Sequence, residues 1–236
     1  MGDNSIDKNA INRALEAALD RYQTLTLLRT AIQAIPYIGG PLDTLLCGKG
    51  AKVQERRFLN FVGCLRKELS KIEEKKIDYE FLESEEFFSI FQSAAEKSIR
   101  THEQEKIHLF SRILSNSALT DYSHTPHKEG FINAVADLST THISILRYIL
   151  DKWRQFIQED ARKNRNHVTL DEVAEAFPNL AKGRIEAYCN DLTRYGFLYD
   201  WWIGRIDYER GLYGVTDYTK EFVRFIQSSS ELESSS

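Results

Sequence analysis

Few residues in this chain have a type and spacing that would support metal binding. His102 and His108 stand six positions apart, which places them about 240° apart around a helix, so they cannot reach one zinc ion from the same face. His124 and His127 flank a Thr-Pro dipeptide in a predicted loop. Two histidines fall short of the four ligands that structural zinc sites use. The spacing therefore predicts a chain that binds no metal ion.

Signatures of catalysis and of cofactor binding are equally sparse. A phosphate-binding loop needs G-x-x-x-x-G-K-[ST], but Asp43 and Gly50 flank Gly48-Lys49 at the positions of the first glycine and the hydroxyl residue. No G-x-S-x-G nucleophile elbow occurs. No histidine stands beside Cys47, Cys64 or Cys189 in the sequence. A cysteine–histidine pair that is formed by the fold stays an open alternative. We therefore expect a non-enzymatic protein without a cofactor.

The composition is that of a packed, helical protein. Among 236 residues, 42% are apolar, with 13 Phe and 11 Tyr, while only 4 are Pro and 12 are Gly. The net charge of −4 gives no overall attraction to nucleic acid or to an anionic membrane. A polar N-terminus and an odd number of widely spaced cysteines indicate the cytoplasm, where thiols stay reduced.

Apolar residues recur at steps of three and four over residues 6–160, the pattern of amphipathic helices in a bundle. The clearest helix is predicted over residues 51–75, where a narrow seam is formed by Phe58, Val62, Leu65, Leu69 and Ile72. Its basic outer face precedes an acidic run from Asp78 to Glu86. Both charged faces are expected to be solvated, because exposed ion pairs contribute only about 0–1 kcal/mol.

Capping signals mark where the helices of this bundle should begin. Ser84 is predicted to cap one helix, and Thr101 with Gln104 has the pattern of a capping box for the next. Pro126 is expected as the first residue of a further helix. Ser139 should cap a long helix whose apolar stripe comprises Ile143, Leu146, Leu150, Trp153 and Ile157. A basic, polar linker at 161–167 then ends the predicted bundle.

Residues 168–227 have the pattern of a winged helix, so the fold class is mainly α, a helical bundle followed by a C-terminal winged-helix domain. A capping box at Thr169 to Glu172 opens its first helix, and a second helix is predicted from Lys182 to Tyr195, ended by Gly196. An aromatic strand, a wing tip at 204–211 and a returning strand at 212–215 should follow. Thr216 is expected to cap a closing helix, and 228–236 reads as a disordered tail.

A winged helix that reads duplex DNA places its second helix in the major groove. The candidate nucleic-acid or partner-binding residues on that helix and on the wing are Lys182, Arg184, Asn190, Arg194, Arg205 and Arg210. The same elements also bear the acidic residues Glu186, Asp191, Asp207 and Glu209. Since phosphate contacts supply most of the affinity for DNA, this balance favours an unknown protein partner over DNA.

The segment from Leu25 to Gly48 is unusually apolar, with Arg29 and Asp43 as its only charges. A spanning helix needs about 20 uninterrupted apolar residues, and Pro36 interrupts this one. We expect a buried helical hairpin. The alternative is a segment that leaves the bundle and inserts into a membrane.

The chain resembles bacterial proteins of the abortive-infection alpha type, which are associated with phage defence. The likeness spans roughly 80–227 and lies in Leu109–Ser117, in His127–Phe131 followed by Leu138-Ser139 and Ile145-Leu146, and in Thr216 with Phe222-Val223. In those proteins a proline often follows the histidine, at the position that Lys128 occupies here. A glycine often stands at the position of Thr219. The resemblance implies a defence role and assigns no catalytic residues.

Three functions are therefore compatible with the sequence. The favoured hypothesis is a cytoplasmic, non-enzymatic component of phage defence that binds a protein partner. A transcriptional regulator that binds DNA through the winged helix is the first alternative. A membrane-acting effector that uses residues 25–48 is the second.

Overall fold

The computed structural model describes residues 51–159, 167–200 and 211–228. Over these residues the protein is mainly helical, with nine α-helices and one three-stranded antiparallel sheet. The helices are α1 (Ala51–Leu69), α2 (Tyr79–Leu82), α3 (Glu85–Arg100), α4 (Gln104–Ser117), α5 (Lys128–Asp137), α6 (Thr140–Glu159), α7 (Leu170–Ala176), α8 (Lys182–Arg194) and α9 (Asp217–Ile226). The strands are β1 (Val168–Thr169), β2 (Leu198–Asp200) and β3 (Leu212–Val215).

Several sequence predictions lie outside the described residues. They are the first helix, the apolar segment from Leu25 to Gly48, residues 201–210 with Arg205 and Arg210, and the tail from 229. Within the described ranges, no helix is both long enough and apolar enough to cross a membrane.

The chain divides into two compact units. Of the described residues, 51–136 and 225–228 form the first unit, and those between Asp137 and Arg224 form the second. The sequence places the boundary between a bundle (6–160) and a C-terminal module (168–227) at the later linker. In the structure α6 belongs with the second unit, because it packs against α7, α8 and the strands β1 and β3.

The first unit is built on the packing of α1, α3 and α4 against one another. The predicted seam of α1 is buried at Phe58, Val62, Leu65 and Leu69. The helix ends at Leu69, so Ile72 lies beyond it and is only half-buried. Phe61 of α1 also packs against Phe91 of α3, with ring centroids 6.0 Å apart.

Two of the predicted helix starts in this unit are wrong. Glu103 rather than Thr101 precedes α4 and makes no capping bond with its side chain, while Thr101 Oγ1 accepts a hydrogen bond from the Glu103 amide at 3.1 Å. Helix α5 begins at Lys128 and not at Pro126 because His127 has φ +67°, a left-handed value that no right-handed helix continues. The cap at Ser84 is confirmed, since its Oγ accepts from the Phe87 amide at 3.1 Å.

The small polar cluster at the end of α4 holds the chain's last described residues. Asn116 Nδ2 donates to the Phe225 carbonyl at 2.9 Å and to the Gln227 carbonyl at 3.0 Å. Arg112 donates to the Ile226 carbonyl at 3.2 Å. Because the carbonyls at a helix C-terminus lack partners within the helix, these donors satisfy the end of α9 inside the first unit.

The second unit contains the sheet, in the order β1-β3-β2. Val168 pairs with Tyr213, and Tyr199 pairs with Gly214. A Cβ atom at Gly214 would collide with the Tyr199 ring, so glycine lets the ring lie across the neighbouring strand. The returning strand predicted at 212–215 is therefore confirmed.

Three helix starts of the second unit are confirmed. Thr169 Oγ1 accepts from the Glu172 amide at 3.2 Å, and the Glu172 carboxylate accepts from the Thr169 amide at 2.9 Å, which is a full capping box. Thr216 Oγ1 accepts from the Thr219 amide at 3.2 Å at the start of α9. Ser139 caps α6 through a 3.4 Å bond from the His142 amide. The predicted inward position of Ile157 is wrong, since this side chain is 49% exposed.

Candidate functional site

Helix α8 presents a continuous exposed face opposite its buried stripe. Ile185, Cys189 and Leu192 are buried, a spacing of four and three that puts them on one side of the helix. The helix ends at Arg194, and Gly196 just beyond its C-cap has φ +80°, a conformation that glycine adopts without a steric penalty. The opposite, exposed side carries Gly183, Ala187, Asn190 and Arg194, and we call these four residues the α8 face.

The basic residues predicted on α8 are exposed, but each has a partner within the same unit. Lys182 forms an ion pair with Asp171. Arg194 lies 3.0 Å from the Asp191 carboxylate. Arg184 donates from Nε to the Tyr188 hydroxyl at 3.2 Å and lies over that ring at 5.9 Å.

The predicted binding residues are thus only partly brought together. Asn190 is exposed beside Arg194 on the α8 face, whereas Arg205 and Arg210 are outside the described residues. The described parts of 167–228 contain eight Asp and Glu residues against five Lys and Arg residues. This part of the chain therefore has a net negative charge, and Lys182 and Arg194 on α8 are compensated by nearby carboxylates.

A chain of polar contacts joins α8 to the start of α6. His142 Nε2 lies 3.3 Å from Asp191 Oδ2, and His142 Nδ1 lies 2.7 Å from Ser139 Oγ. These residue types are those of an acyl-transfer triad. However, Nδ1 also accepts a 3.1 Å hydrogen bond from the Ser139 amide, which is the reciprocal bond of a capping box. We interpret the trio as a helix cap that also positions Asp191.

The first unit contains a buried lysine that was not predicted from the sequence. Lys128 is 1% exposed, and its ammonium donates to the Ser123 carbonyl at 2.5 Å and to Glu86 at 2.7 Å. It also lies 4.3 Å from the centroid of the Phe81 ring. Buried lysines are rare unless paired, so only the three-dimensional contacts identify this position.

A polar cleft of about 390 Å³ lies beside this lysine, between α3 and α5. Its lining includes Glu86, Ser89, His127, Glu129 and Asn133. The left-handed backbone at His127 lies on its rim, and such strain is common where a site is held in a fixed geometry. Neither the cleft nor the left-handed backbone of His127 could be predicted from the sequence pattern.

A second group that the sequence did not predict lies between α1 and α4. Cys64 Sγ and His108 Nε2 are 4.0 Å apart, so the fold pairs a cysteine with a histidine that lies far away in sequence. Burial, followed by the nearby Glu68 carboxylate, raises the pKa of the Cys64 thiol. Burial, followed by the Arg112 guanidinium, lowers the pKa of His108. Both shifts favour the uncharged thiol and the uncharged imidazole.

Among the described residues, no group of three or more His, Cys, Asp or Glu side chains is arranged to hold a metal ion. His124 and His127, the two loop histidines considered as metal ligands in the sequence, belong to no such group. No protein-family model, curated protein or solved structure matches this chain.

Proposed function

We propose that the chain is a cytoplasmic, non-enzymatic protein of bacterial phage defence that binds a protein partner through a C-terminal winged helix. The order of elements β1, α7, α8, β2, β3 and α9, with β3 between the two other strands, supports a winged helix in which α8 is the second helix. The defence role rests on the family resemblance carried by the motifs in α4, α5, α6 and α9.

The pairing of the α8 cations is the observation that carries the choice of partner. A duplex reader uses Lys and Arg to contact phosphates, and these contacts supply most of the nonspecific affinity. Here Lys182 and Arg194 already pair with carboxylates, and Arg184 lies against Tyr188. Nearby acidic groups would also repel the phosphate backbone. The site therefore favours a protein surface over a polyanion.

The shape of the α8 face supports the same conclusion. Gly183 and Ala187 leave little side-chain bulk on the exposed side, next to the polar ends of Asn190 and Arg194. Small residues allow a partner's backbone or helix to approach closely, and the exposed Asn190 amide can both donate and accept hydrogen bonds there.

Duplex binding is tested first by the anisotropy of a fluorescent random duplex at about 50 mM and about 200 mM salt, where binding driven by phosphate contacts should weaken steeply. We expect no salt-sensitive binding in the micromolar range. Micromolar affinity that collapses with salt, and that disappears in the double variant Lys182→Glu and Arg184→Glu, would overturn the proposal in favour of a DNA-binding regulator.

Partner binding is tested by co-purification of the tagged full-length chain from its native host, with one blocking variant and one matched control. Ala187→Arg places a long cation in the α8 face, whereas Ala176→Arg makes the same change at another exposed helical position of the second unit. We expect a stoichiometric partner that is lost with Ala187→Arg and retained with Ala176→Arg. Equal retention by both variants would show that the α8 face is not the binding surface.

A further inference from the structure

Helices α1 and α4 share a ladder of polar side chains along one edge of their contact. Every fourth residue contributes on each helix, and the ladder comprises Asn60, Cys64 and Glu68 on α1 and Gln104, His108 and Arg112 on α4. The pairs Asn60–Gln104, Cys64–His108 and Glu68–Arg112 each join residues 44 positions apart, so the two helices run parallel at a fixed register. Polar residues at such an edge are ordinarily the rim of an apolar interface, but the central rung is chemically distinctive.

The central rung brings a thiol and an imidazole lone pair together. Gln104 Nε2 lies 3.4 Å from His108 Nε2 and donates to Cys64 Sγ at 3.9 Å. An amide nitrogen can only donate, so this contact is a hydrogen bond when His108 Nε2 is the unprotonated ring nitrogen. Asn60 fixes the glutamine by donating to its Oε1 at 2.6 Å. The sulfur and the nitrogen lone pair thus face one another across 4.0 Å.

We propose that Cys64 and His108 form a two-ligand site for a soft monovalent d¹⁰ metal ion of the Cu(I) class. With zinc–sulfur and zinc–nitrogen bonds of about 2.3 Å and about 2.0 Å as a guide to length, two collinear bonds would span about 4.3 Å, close to the 4.0 Å that separates Sγ from Nε2. An ion between the two atoms would therefore bind both with only a few tenths of an ångström of movement. Thiolate sulfur selects soft ions such as Cu(I), and imidazole is also a good ligand for copper.

The surroundings favour a low coordination number. Zinc usually takes four protein ligands in a structural site, and the described residues offer no group of three. The nearest carboxylate, Glu68, is engaged by Lys71 at 2.9 Å and by Arg112 at 3.8 Å. The ladder therefore provides two ligands, one sulfur and one nitrogen, and suits an ion that is stable with that coordination number.

Binding is a simple exchange of a proton for the metal ion. The S–H bond of Cys64 breaks, a sulfur–metal bond and a nitrogen–metal bond form, and the proton leaves to solvent without any change of oxidation state. The ion can enter from the exposed side of the ladder, where Gln104 is exposed and His108 is half-buried. The bound ion would link α1 to α4 and so raise the thermal stability of the folded state.

The test uses Ag(I), a monovalent d¹⁰ ion that does not change oxidation state, titrated into the reduced full-length chain by calorimetry with a parallel thermal melt. We compare the wild type with Cys64→Ser and His108→Gln. His102→Gln is the matched control because His102 is an exposed histidine outside the ladder. Cys189→Ser controls for a fully buried thiol, whose pKa burial raises to about 12.

We expect Cys64→Ser to lose one equivalent of Ag(I), the released proton and the rise in melting temperature. His108→Gln should bind that equivalent at least roughly tenfold more weakly, since even the loss of an outer-shell group costs about 10–100-fold. His102→Gln and Cys189→Ser should behave like the wild type. Wild-type affinity in His108→Gln would identify an isolated thiol and overturn the proposal, as would an unchanged stoichiometry in Cys64→Ser. Competition with a Cu(I) chelator then repeats the comparison with copper itself.

Discussion

Replacing Lys128 with methionine should destabilise the first unit although methionine is apolar and fills similar space. The lysine ammonium is buried between the Ser123 carbonyl, one carboxylate oxygen of Glu86 and the face of the Phe81 ring. Methionine is one atom shorter, keeps a similar apolar volume and removes the three donors of the ammonium. The change therefore isolates the polar contribution from the packing contribution.

The contacts allow the size of the effect to be worked out. Ser123 is 1% exposed, so its carbonyl would lose a donor that water cannot easily replace, at about 1–3 kcal/mol. The cation–π contact contributes about 0.5–2 kcal/mol. Glu86 has a 57% exposed side chain and can be rehydrated, so the ion pair itself contributes only about 0–1 kcal/mol. Relief from desolvation of the ammonium opposes these losses, and we expect a net loss of about 2 kcal/mol.

The assay is equilibrium urea denaturation followed by circular dichroism, with a thermal melt in which about 2 kcal/mol corresponds to about 4–8 °C for a chain of this length. Lys67→Met is the matched control, because Lys67 is exposed on α1 and its loss should change stability by less than about 0.5 kcal/mol. Glu86→Gln should cost less than Lys128→Met. An unchanged or increased stability of Lys128→Met would refute the conclusion that the buried ammonium stabilises the fold. A larger loss of stability in Glu86→Gln than in Lys128→Met would show that the ion pair makes the main contribution.

Substitutions at three further positions test local features. Thr169→Ala should lower the unfolding free energy by about 1 kcal/mol because it removes the acceptor of the Glu172 amide; an unchanged urea midpoint would contradict that. Gly196→Ala should cost about 1 kcal/mol at φ +80°, and Gly196→Asn should recover part of this in the same assay. Hydrogen bonds from the Ser123 hydroxyl and the Phe81 amide hold the pKa of Asp78 below its usual range, so its stabilisation is present above the unfolded-state pKa and is lost as the pH falls through the folded-state pKa. In urea titrations, the stability difference between the wild type and Asp78→Asn should therefore be constant above about pH 5 and shrink as the pH falls below about 4, and a difference that stays constant at low pH would exclude this role.

Signals that act over a few residues were read correctly from the sequence in most cases. The cap at Ser84, the capping box at Thr169 and the cap at Thr216 are all present. Each cap depends on a side chain and an amide within one helical turn, so the residue types alone are sufficient to predict it. Thr101 failed because its hydroxyl accepts from the Glu103 amide two residues on, and a choice between such alternative local bonds depends on how the chain enters the helix.

The features of possible functional importance were much harder to predict. On α8 the sequence identified Lys182, Arg184 and Arg194 as exposed cations, but their partners were assigned only by the fold. Lys128 stood in a helix start that looked ordinary, since its burial depends on Glu86 and Ser123 from other parts of the chain.

The sequence by itself determined the helical character of the chain, the stripes that form its cores and most of the helix starts, because periodicity and capping are properties of neighbouring residues. Only the tertiary structure decided that α6 belongs with the sheet, that Lys128 is buried and that Cys64 faces His108. These outcomes depend on which helices pack together and in what register. Contacts between residues more than 40 positions apart leave no periodic trace in the sequence that could reveal them.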